Sequence, residues 1–558
     1  MLEAAQISKL LRELAQHIDL QGSNPFRARA YRRAAENLVL TTVPLKQLIA
    51  EGRLQDICGV GEAIASVITQ LHVSGQYAPL DAMRKEFPAG VLEMLRMPGL
   101  RPDRVRKLHE ALGISSLDEL EQAARAGRLA SLKGWGPAFQ AKVLRGIELA
   151  RTHADGRHLH RATVAMEHAR EELIRRHPEW TTITIAGELR RGCELIRALS
   201  AVAVDPCHQG APRAIRTGDE FTVHVTNRDL YGVTLLLATG SDAHIEALRA
   251  LAKERRWTLD AVGLRSGTRL IAADTEEGIY AALDLPFIAP ELREGGVEVQ
   301  RARESGLPAL VSQEDIQGVL HAHTVQSDGA DTLEGMADAA RKRGYAYLGV
   351  TDHSQTAHYA GGLTVQNVLA QQREIEQVNQ RCGSHFRIFK GIESDILADG
   401  SLDYSEDVLR SFELIIASVH SRFRMNRQEQ TERILKAIAN PHTTILGHVT
   451  GRLLLKRAGY DVDMEAILSA CAEHSVAVEI NANPWRLDLD WRWCERALQL
   501  GCLLSINPDA HSTNEIDNMR WGILMARKGV VPKDRVLNAL RRTDFEVYLR
   551  ERKRRAAH

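Results

Sequence analysis

From residue 316 onward the chain repeats one pattern seven times: a short apolar run ending on residues that can bind metal. "GVL" leads into His321 and His323, with Asp328 in the loop beyond, and "YLGVTD" leads into His353. "FRIFKGI" reaches Glu393, "ELIIASV" reaches His420, and "TTILG" reaches His448. "VAVEI" ends at Asn481 and Asn483, and "LLSINP" at Asp509 and His511. Helical segments separate the runs, the signature of parallel β/α units. In α/β barrels the C-terminal strand ends share one face, and sites form there. Residues two apart in a strand point to the same side, so His321 and His323 aim two imidazoles at one spot. The spacing gathers six histidines and three carboxylates in one cleft.

Any one of these histidines alone reads as an ordinary packed side chain. Their recurrence at one class of position predicts a metal cluster. Imidazole and carboxylate donors without thiolate suit Mn²⁺, Zn²⁺ or Fe²⁺ rather than Mg²⁺ or Ca²⁺ alone. Nine donors are too many for one ion, so two or three ions are expected to share them. Three carboxylates offset only part of that charge, which leaves the cleft attractive to phosphate. Clustered divalent ions suit in-line attack on a phosphodiester.

The remaining sequence bounds the setting. A chain of 558 residues exceeds one ordinary core and predicts about three or four domains. Its 44% apolar and 26% charged residues are those of a soluble globular protein. No apolar run approaches the roughly 20 residues of a membrane span. Ile7, Leu10, Leu11, Leu14 and Ile18 predict an amphipathic first helix, and no export signal is read before it. Seven cysteines without a C-x-x-C pair fit free thiols in a reducing cytosol. Net charge is zero, so local clusters must carry any argument about polyanions.

Residues 1 to about 150 read as helices joined by glycine turns. Asn24 is the expected N-cap of a helix opened by Pro25, whose arginines 27, 29, 32 and 33 form a basic face. A solvated face is the plain reading of such a run. A weak repeat follows in "ICGVGEAIASVI", "MPGLRPDRVRKL" and "LKGWGPAFQAKVL". Each is a hydrophobic residue, a glycine turn and a helix start, carrying Gly59 and Gly61, then Gly99, then Gly134 and Gly136. Glycine permits close backbone approach, and helix N-termini attract phosphate. The repeat resembles the helix-hairpin-helix element, which grips nucleic-acid backbone without reading sequence. The middle copy has Arg101 where a second glycine would stand.

From about 160 to 300 the pattern is mixed α/β, with strands expected in "WTTITIAG" and "LSAVAVD" and a helix in "DAHIEALRALAKERRW". A polar connector covers roughly 301–315.

The motifs "LHAHT…SDG", "TDHS", "GIESDI", "SVHS", "GHVTGRLLL", "EINANPWRLD" and "PDAH" resemble the polymerase-and-histidinol-phosphatase (PHP) domain of bacterial family X DNA polymerases. The resemblance spans 316–558. It implies a distorted seven-stranded β/α barrel with three metals at its mouth. The implied ligands are His321, His323, Asp328, His353, Glu393, His420, His448, Asp509 and His511. Glu393 matches the bridging ligand, and Glu393, Asp509 and His511 are the expected catalytic members. One departure is Val319, where the family usually has aspartate. Arg452 and Arg486 are candidate phosphate contacts by charge, with a salt-bridging arginine as the plain alternative.

The resemblance extends backward. "AGELRRG" is similar to the start of the polymerase palm motif, "ATGSDAH" to its T-G-S element, and "IYAALDLPFIAPELREG" to the end of the thumb. The palm's three metal-holding aspartates, however, correspond to Ala198, Ser200 and Thr222. Arg197 replaces a glycine of the motif, and Glu188 replaces a serine where a triphosphate would lie. Glu194, Asp205, Asp219 and Glu220 lie nearby without forming an alternating pair. Alanine and serine cannot hold the two Mg²⁺ ions of nucleotidyl transfer, so a palm that no longer polymerises is expected. Arg191 and the T-G-S element survive, which leaves room for some nucleotide or DNA contact.

The expected protein is multidomain, α plus α/β. A helical DNA-binding domain (1–80) and a fingers-like helical region (81–158) precede a degenerate palm and thumb (159–300), a linker (301–315) and the PHP barrel (316–558). The expected activity is metal-dependent 3′→5′ exonuclease action of a DNA-repair kind, with Mn²⁺ the leading ion and Zn²⁺ or Fe²⁺ its rivals. The expected partner is DNA with gapped, nicked or primer-template ends, in the cytoplasm at the nucleoid, with no membrane and no obligate protein partner. The alternatives are an active polymerase with PHP proofreading, a histidinol-phosphatase-like phosphoesterase and a non-catalytic DNA-binding scaffold. The basic tail "RERKRRAAH" reads as a solvated terminus.

Overall fold

The structure is a computed structural model. It describes residues 2–556 apart from 3, 23–24, 41–42, 44, 58, 96, 98–99, 133–134, 137–138, 141–142, 145, 148–155 and 218–220. Asn24, Gly99, Gly134, Asp219 and Glu220 therefore lie outside the described residues. The chain forms two compact units, 1–154 with 455–458, and 155–454 with 459–558.

The secondary-structure elements of the first unit are all helices among its described residues. Ile7, Leu11, Leu14 and Ile18 are fully or almost fully buried, and they pack with Tyr31, Leu38, Ile64 and Ile68. A second core gathers Phe87, Val91, Met94, Val105, Leu108, Leu120 and Trp135. The first glycine turn lies against the basic helix Pro25–Leu40: a Cβ on Gly59, whose φ is +86°, would sit 3.0 Å from Arg33 Cγ. Gly61 caps the following helix, Glu62–Ser74.

The second unit opens with a four-stranded palm-like sheet. Its order is Thr182–Ala186, Leu199–Val204, Phe221–Thr226 and Arg213–Thr217, and its central pair is parallel. Helix Leu159–Arg176 covers one face through Leu159, Ala162 and Met166, and Leu235 packs on Ala186 and Val202 of the other. A short ribbon pairs Arg157–His158 with Leu195–Ile196. The thumb-like part, around helices Asp242–Glu254 and Glu276–Ala282, has its own core of Val233, Ile245, Leu248, Leu264 and Ile279.

Seven parallel strands then form a barrel in sequential order: Gly318–Val319, Tyr347–Val350, Arg387–Asp395, Leu414–Ser418, Ile445–Leu446, Ala477–Asn481 and Leu504–Asn507. A parallel bridge between Ala322 and Ala510 brings the last strand's end to the first. Strand alternation separates two environments. Ile388 and Ile392 face the outer helices, whereas Phe389 joins Leu414, Ile416, Tyr347 and Ala477 within the barrel.

The C-terminal helix Arg542–Ala556 closes the end where the strands begin. Phe545 stacks on Tyr347 at 5.0 Å and meets Phe389 edge-on at 5.1 Å. The tail read as solvated is thus part of a docked helix, because Arg552 is buried and donates to the carbonyls of His474, Ser475 and Thr443. The connector is likewise docked: Val311 is buried, and its N–H bonds Val531 O at 3.0 Å.

Candidate metal centre

Along the inner barrel face the side chains change from apolar to ligating as each strand approaches the open end. Phe389 and Gly391 lead to Glu393 and Asp395; Leu414 and Ile416 lead to Ser418 and His420. His321 and His323 are both fully buried, with ring centroids 5.2 Å apart. The rings continue from His511 to His323 at 4.2 Å, His323 to His353 at 4.5 Å, His353 to His420 at 5.0 Å and His420 to His448 at 5.1 Å.

Glu393 stands at the centre of this array. Its Oε1 lies 3.0 Å from His448 Nε2, 3.3 Å from His420 Nε2 and 3.4 Å from His321 Nε2. Its Oε2 lies 3.0 Å from His353 Nδ1 and 3.6 Å from His323 Nε2. Asp509 Oδ1 is 3.4 Å from His323 Nε2 and 3.6 Å from His321 Nε2. Asp328 Oδ1 is 3.3 Å from His511 Nε2 and 3.6 Å from His353 Nε2. All nine sequence-predicted ligands therefore converge.

Three overlapping groups have one donor atom from each member within 4.8 Å of the others: His323, Asp328, His353 and His511; His321, His323 and Glu393; His353, Glu393 and His420. His321 Nε2, both nitrogens of His323, His353 Nδ1 and Glu393 Oε2 are buried without a hydrogen-bond partner. Orphaned buried donors of this kind are costly unless something binds them. The donor set fits divalent cations.

The electrostatics fit too. Burial and the neighbouring His353 push His323 down to about 3, so its ring is neutral with a lone pair available. Burial alone would raise the Glu393 pKa, but His420, His321 and His353 hold it well below the usual carboxylate range. Asp509 is held low in the same way, against burial, by His321 and His323. His420 is pushed up to about 9, since Glu393 and Asp395 outweigh its burial.

A supporting layer stands behind the ligands, and its carboxylates went unread in the sequence. Glu479 accepts from His321 Nδ1 at 2.6 Å and from the His448 N–H at 2.6 Å. Asp395 lies 2.6 Å from His420 Nδ1, and Asn481 Nδ2 donates to Asp509 Oδ2 at 3.1 Å. Asp352 accepts from Thr324 N and Oγ1 and from Gln371, fixing the loop between His323 and Asp328. Outer partners of this type set ring orientation and ligand basicity. Two signals pointed to them: Glu479 is a carboxylate inside the apolar run "VAVEI", and Asp395 follows Glu393 by two on the same strand face. Val319 packs in the apolar core.

Arg486 reaches the cluster, with Nε 3.6 Å from Asp509 Oδ2. Tyr359, 71% exposed, holds its ring 6.2 Å from His353 and 6.4 Å from His420. Arg452, expected as a phosphate contact, is instead enclosed. Its guanidinium donates to Glu194, Asp490 and the carbonyls of Arg486 and Leu487, leaving it no free face for substrate.

The palm face differs sharply. Ser200 and Thr222 lie directly opposite each other on the parallel pair, and Arg216 is the next neighbour of Thr222. Ala198 is exposed just before its strand. The acids nearby that are described have other duties: Glu188 accepts from the Arg197 N–H, Asp205 from the Cys207 N–H, and Glu194 from Arg452 and Arg492. The surviving motif residues are also engaged. Arg190 pairs with Glu276 and Thr239, Arg191 with Glu294 and the Thr239 carbonyl. Ser241 caps helix Asp242–Glu254 and donates to Glu294 O. Arg191 thus braces the thumb.

Comparison with known proteins places these parts among relatives. The chain matches family models described as a helix-hairpin-helix domain over 3–76, a DNA polymerase beta thumb over 234–294 and a PHP domain over 320–483. It is 34% identical to "DNA polymerase/3'-5' exonuclease PolX" of Bacillus subtilis (strain 168), over 98% of this chain and 99% of that protein. A probable phosphatase of Thermoanaerobacter sp. (strain X514) is 27% identical over 42% of this chain and 95% of its own length. Another, from Vibrio campbellii, is 29% identical over 38% of this chain and 84% of its own.

Proposed function

Because this chain belongs to the family X DNA polymerases that carry a PHP domain, we propose that it is a Mn²⁺-dependent 3′→5′ DNA exonuclease whose palm no longer polymerises. The observation that carries the reading is the contrast between two sites. Nine imidazoles and carboxylates meet at the barrel mouth, while Ala198, Ser200 and Thr222 occupy the palm positions. The metal-dependent phosphoesterase function belongs to the barrel.

His321, His323, Asp328, His353, Glu393, His420, His448, Asp509 and His511 would hold the ions. Divalent ions bound there supply an acidified water and neutralise charge on the phosphate oxygens. The chain's own residues do the rest. Glu393 keeps five imidazoles facing one centre. Asn481 fixes the second oxygen of Asp509. Arg486 binds the oxygens of the scissile phosphate, and the exposed ring of Tyr359 offers a stacking face to the terminal base. Residues 1–80 and 81–158 hold gapped or nicked DNA through glycine turns and the basic helix, and 159–300 serves as scaffold. Such work belongs at the nucleoid, in repair.

The test is a 5′-labelled primer on a gapped template with Mn²⁺, with and without the four nucleotides. Shortening independent of nucleotides, and lost in His323→Ala and Glu393→Ala, is the expected result. Lengthening, or shortening that survives both substitutions, overturns the reading.

A further inference from the structure

We propose that the palm sets the position of Arg486, acting on it through Glu194 and Arg452; this deepens the exonuclease reading and rests on it. Three consecutive residues of the barrel loop are gripped, the first directly from the palm side. Trp485 meets His158 edge-on at 4.5 Å and His160 at 4.9 Å, and the Arg161 guanidinium lies 4.7 Å over its ring. His158 Nε2 also bonds the Leu454 carbonyl at 3.1 Å, and the Leu454 N–H bonds Trp485 O at 2.7 Å. Arg486 and Leu487 are held next, by one guanidinium. Arg452 Nε donates to Arg486 O at 3.0 Å, and Nη2 donates to Leu487 O.

That guanidinium is itself aimed by two carboxylates. Asp490 of the same loop accepts from Nη1 at 2.7 Å, and Glu194 of the palm accepts from Nη2 at 2.5 Å. Glu194 also lies 3.3 Å from Arg492 Nη1, so it closes the loop's far end. Both members of the Glu194–Arg452 pair are largely enclosed, at 12% and 14% exposure. Glu194 immediately precedes Leu195–Ile196, the strand that pairs with Arg157–His158. The two palm grips are therefore built on one ribbon.

The loop needs such support. Leu487 is a buried, β-carbon-bearing residue with φ of +48°, a conformation that persists only where surroundings impose it. Its carbonyl is one of the atoms Arg452 holds. Loosening Arg452 frees the backbone of Arg486, whose side chain faces Asp509 across 3.6 Å. A misplacement of about 1 Å at a phosphate-binding arginine costs roughly 10- to 100-fold in rate. Glu194 is thus a positioning residue for chemistry on another domain.

The full-length protein with Mn²⁺ tests this on two substrates, a chromogenic aryl phosphodiester and a 5′-labelled primer. The variants are Arg486→Ala, Glu194→Gln and Arg452→Lys, which keeps charge but lacks the fork, the last two made alone and combined with Arg486→Ala. Glu194→Gln and Arg452→Lys should each lower diester kcat/KM roughly 10-fold, mainly through KM, with bound Mn²⁺ unchanged. In the Arg486→Ala background neither should lower it further. Equal losses in both backgrounds, or no loss at all, overturn the inference. Wild-type protein that hydrolyses the diester but leaves the primer intact overturns the exonuclease reading alone.

Discussion

At the palm, Ser200 and Thr222 face each other across parallel strands; at the barrel mouth, the ends of parallel strands carry imidazoles and carboxylates. Both lie on parallel strands, an arrangement that can support metal sites. They differ in what surrounds those strands. Around Glu393, buried polar atoms lack partners and outer carboxylates orient the rings. Around Ser200, the arginines and the serine of the palm motifs are all spoken for by Glu276, Glu294 and Thr239. A sheet keeps its shape on backbone pairing and apolar packing, so chemistry can leave a fold without unfolding it. The arginines of the palm motif brace neighbouring parts.

The comparison can be broken most forcibly at its strong end. Glu393→Ala should reduce nuclease activity by roughly 10³-fold or more, since five imidazoles lose their common carboxylate. Elemental analysis should find bound metal lost in parallel. Activity within tenfold of wild type would move the chemistry out of the barrel. Supporting residues should matter less: Asp395→Asn and Glu479→Gln should each cost about 10- to 100-fold in metal affinity or activity. Full affinity in both variants would mean that ring orientation is fixed elsewhere.

Metal should also stabilise the protein through the barrel alone. An ion at 100 times its dissociation constant adds about 2.7 kcal/mol to the unit that binds it. A melting temperature that rises with Mn²⁺ in wild type and does not in Glu393→Ala is expected, read by differential scanning fluorimetry. The smallest effect is expected at the palm. Ala198→Asp with Ser200→Asp and Thr222→Asp should yield no primer extension, because Arg190 and Arg191 remain tied to Glu276 and Glu294. Extension by that variant would show that only the three carboxylates were missing.

How far these sites were legible in sequence follows from the physics of each. All seven barrel strands could be read because each apolar run stops where donors begin, and strand geometry then forces convergence. At the palm the polar side chains themselves were readable, and register sets Ser200 opposite Thr222. Glu479 stands out as a carboxylate within an apolar run, but its partners were hidden, because neighbouring strands supply His321 and the His448 N–H. Arg452 could not be assigned between phosphate contact and salt bridge for the converse reason: its charge was visible, while the enclosing Glu194, more than 250 positions away, was not. The docking of Arg552 is invisible in sequence because the carbonyls that bind it come from distant loops.

The most direct measurement is an anomalous-scattering map from crystals of the protein with gapped DNA, Mn²⁺ and a non-hydrolysable nucleotide. The account predicts manganese peaks within reach of Glu393 and Asp509, and none beside Ser200 and Thr222. A pair of ions at Ser200 and Thr222, with nucleotide bound over them, would contradict it.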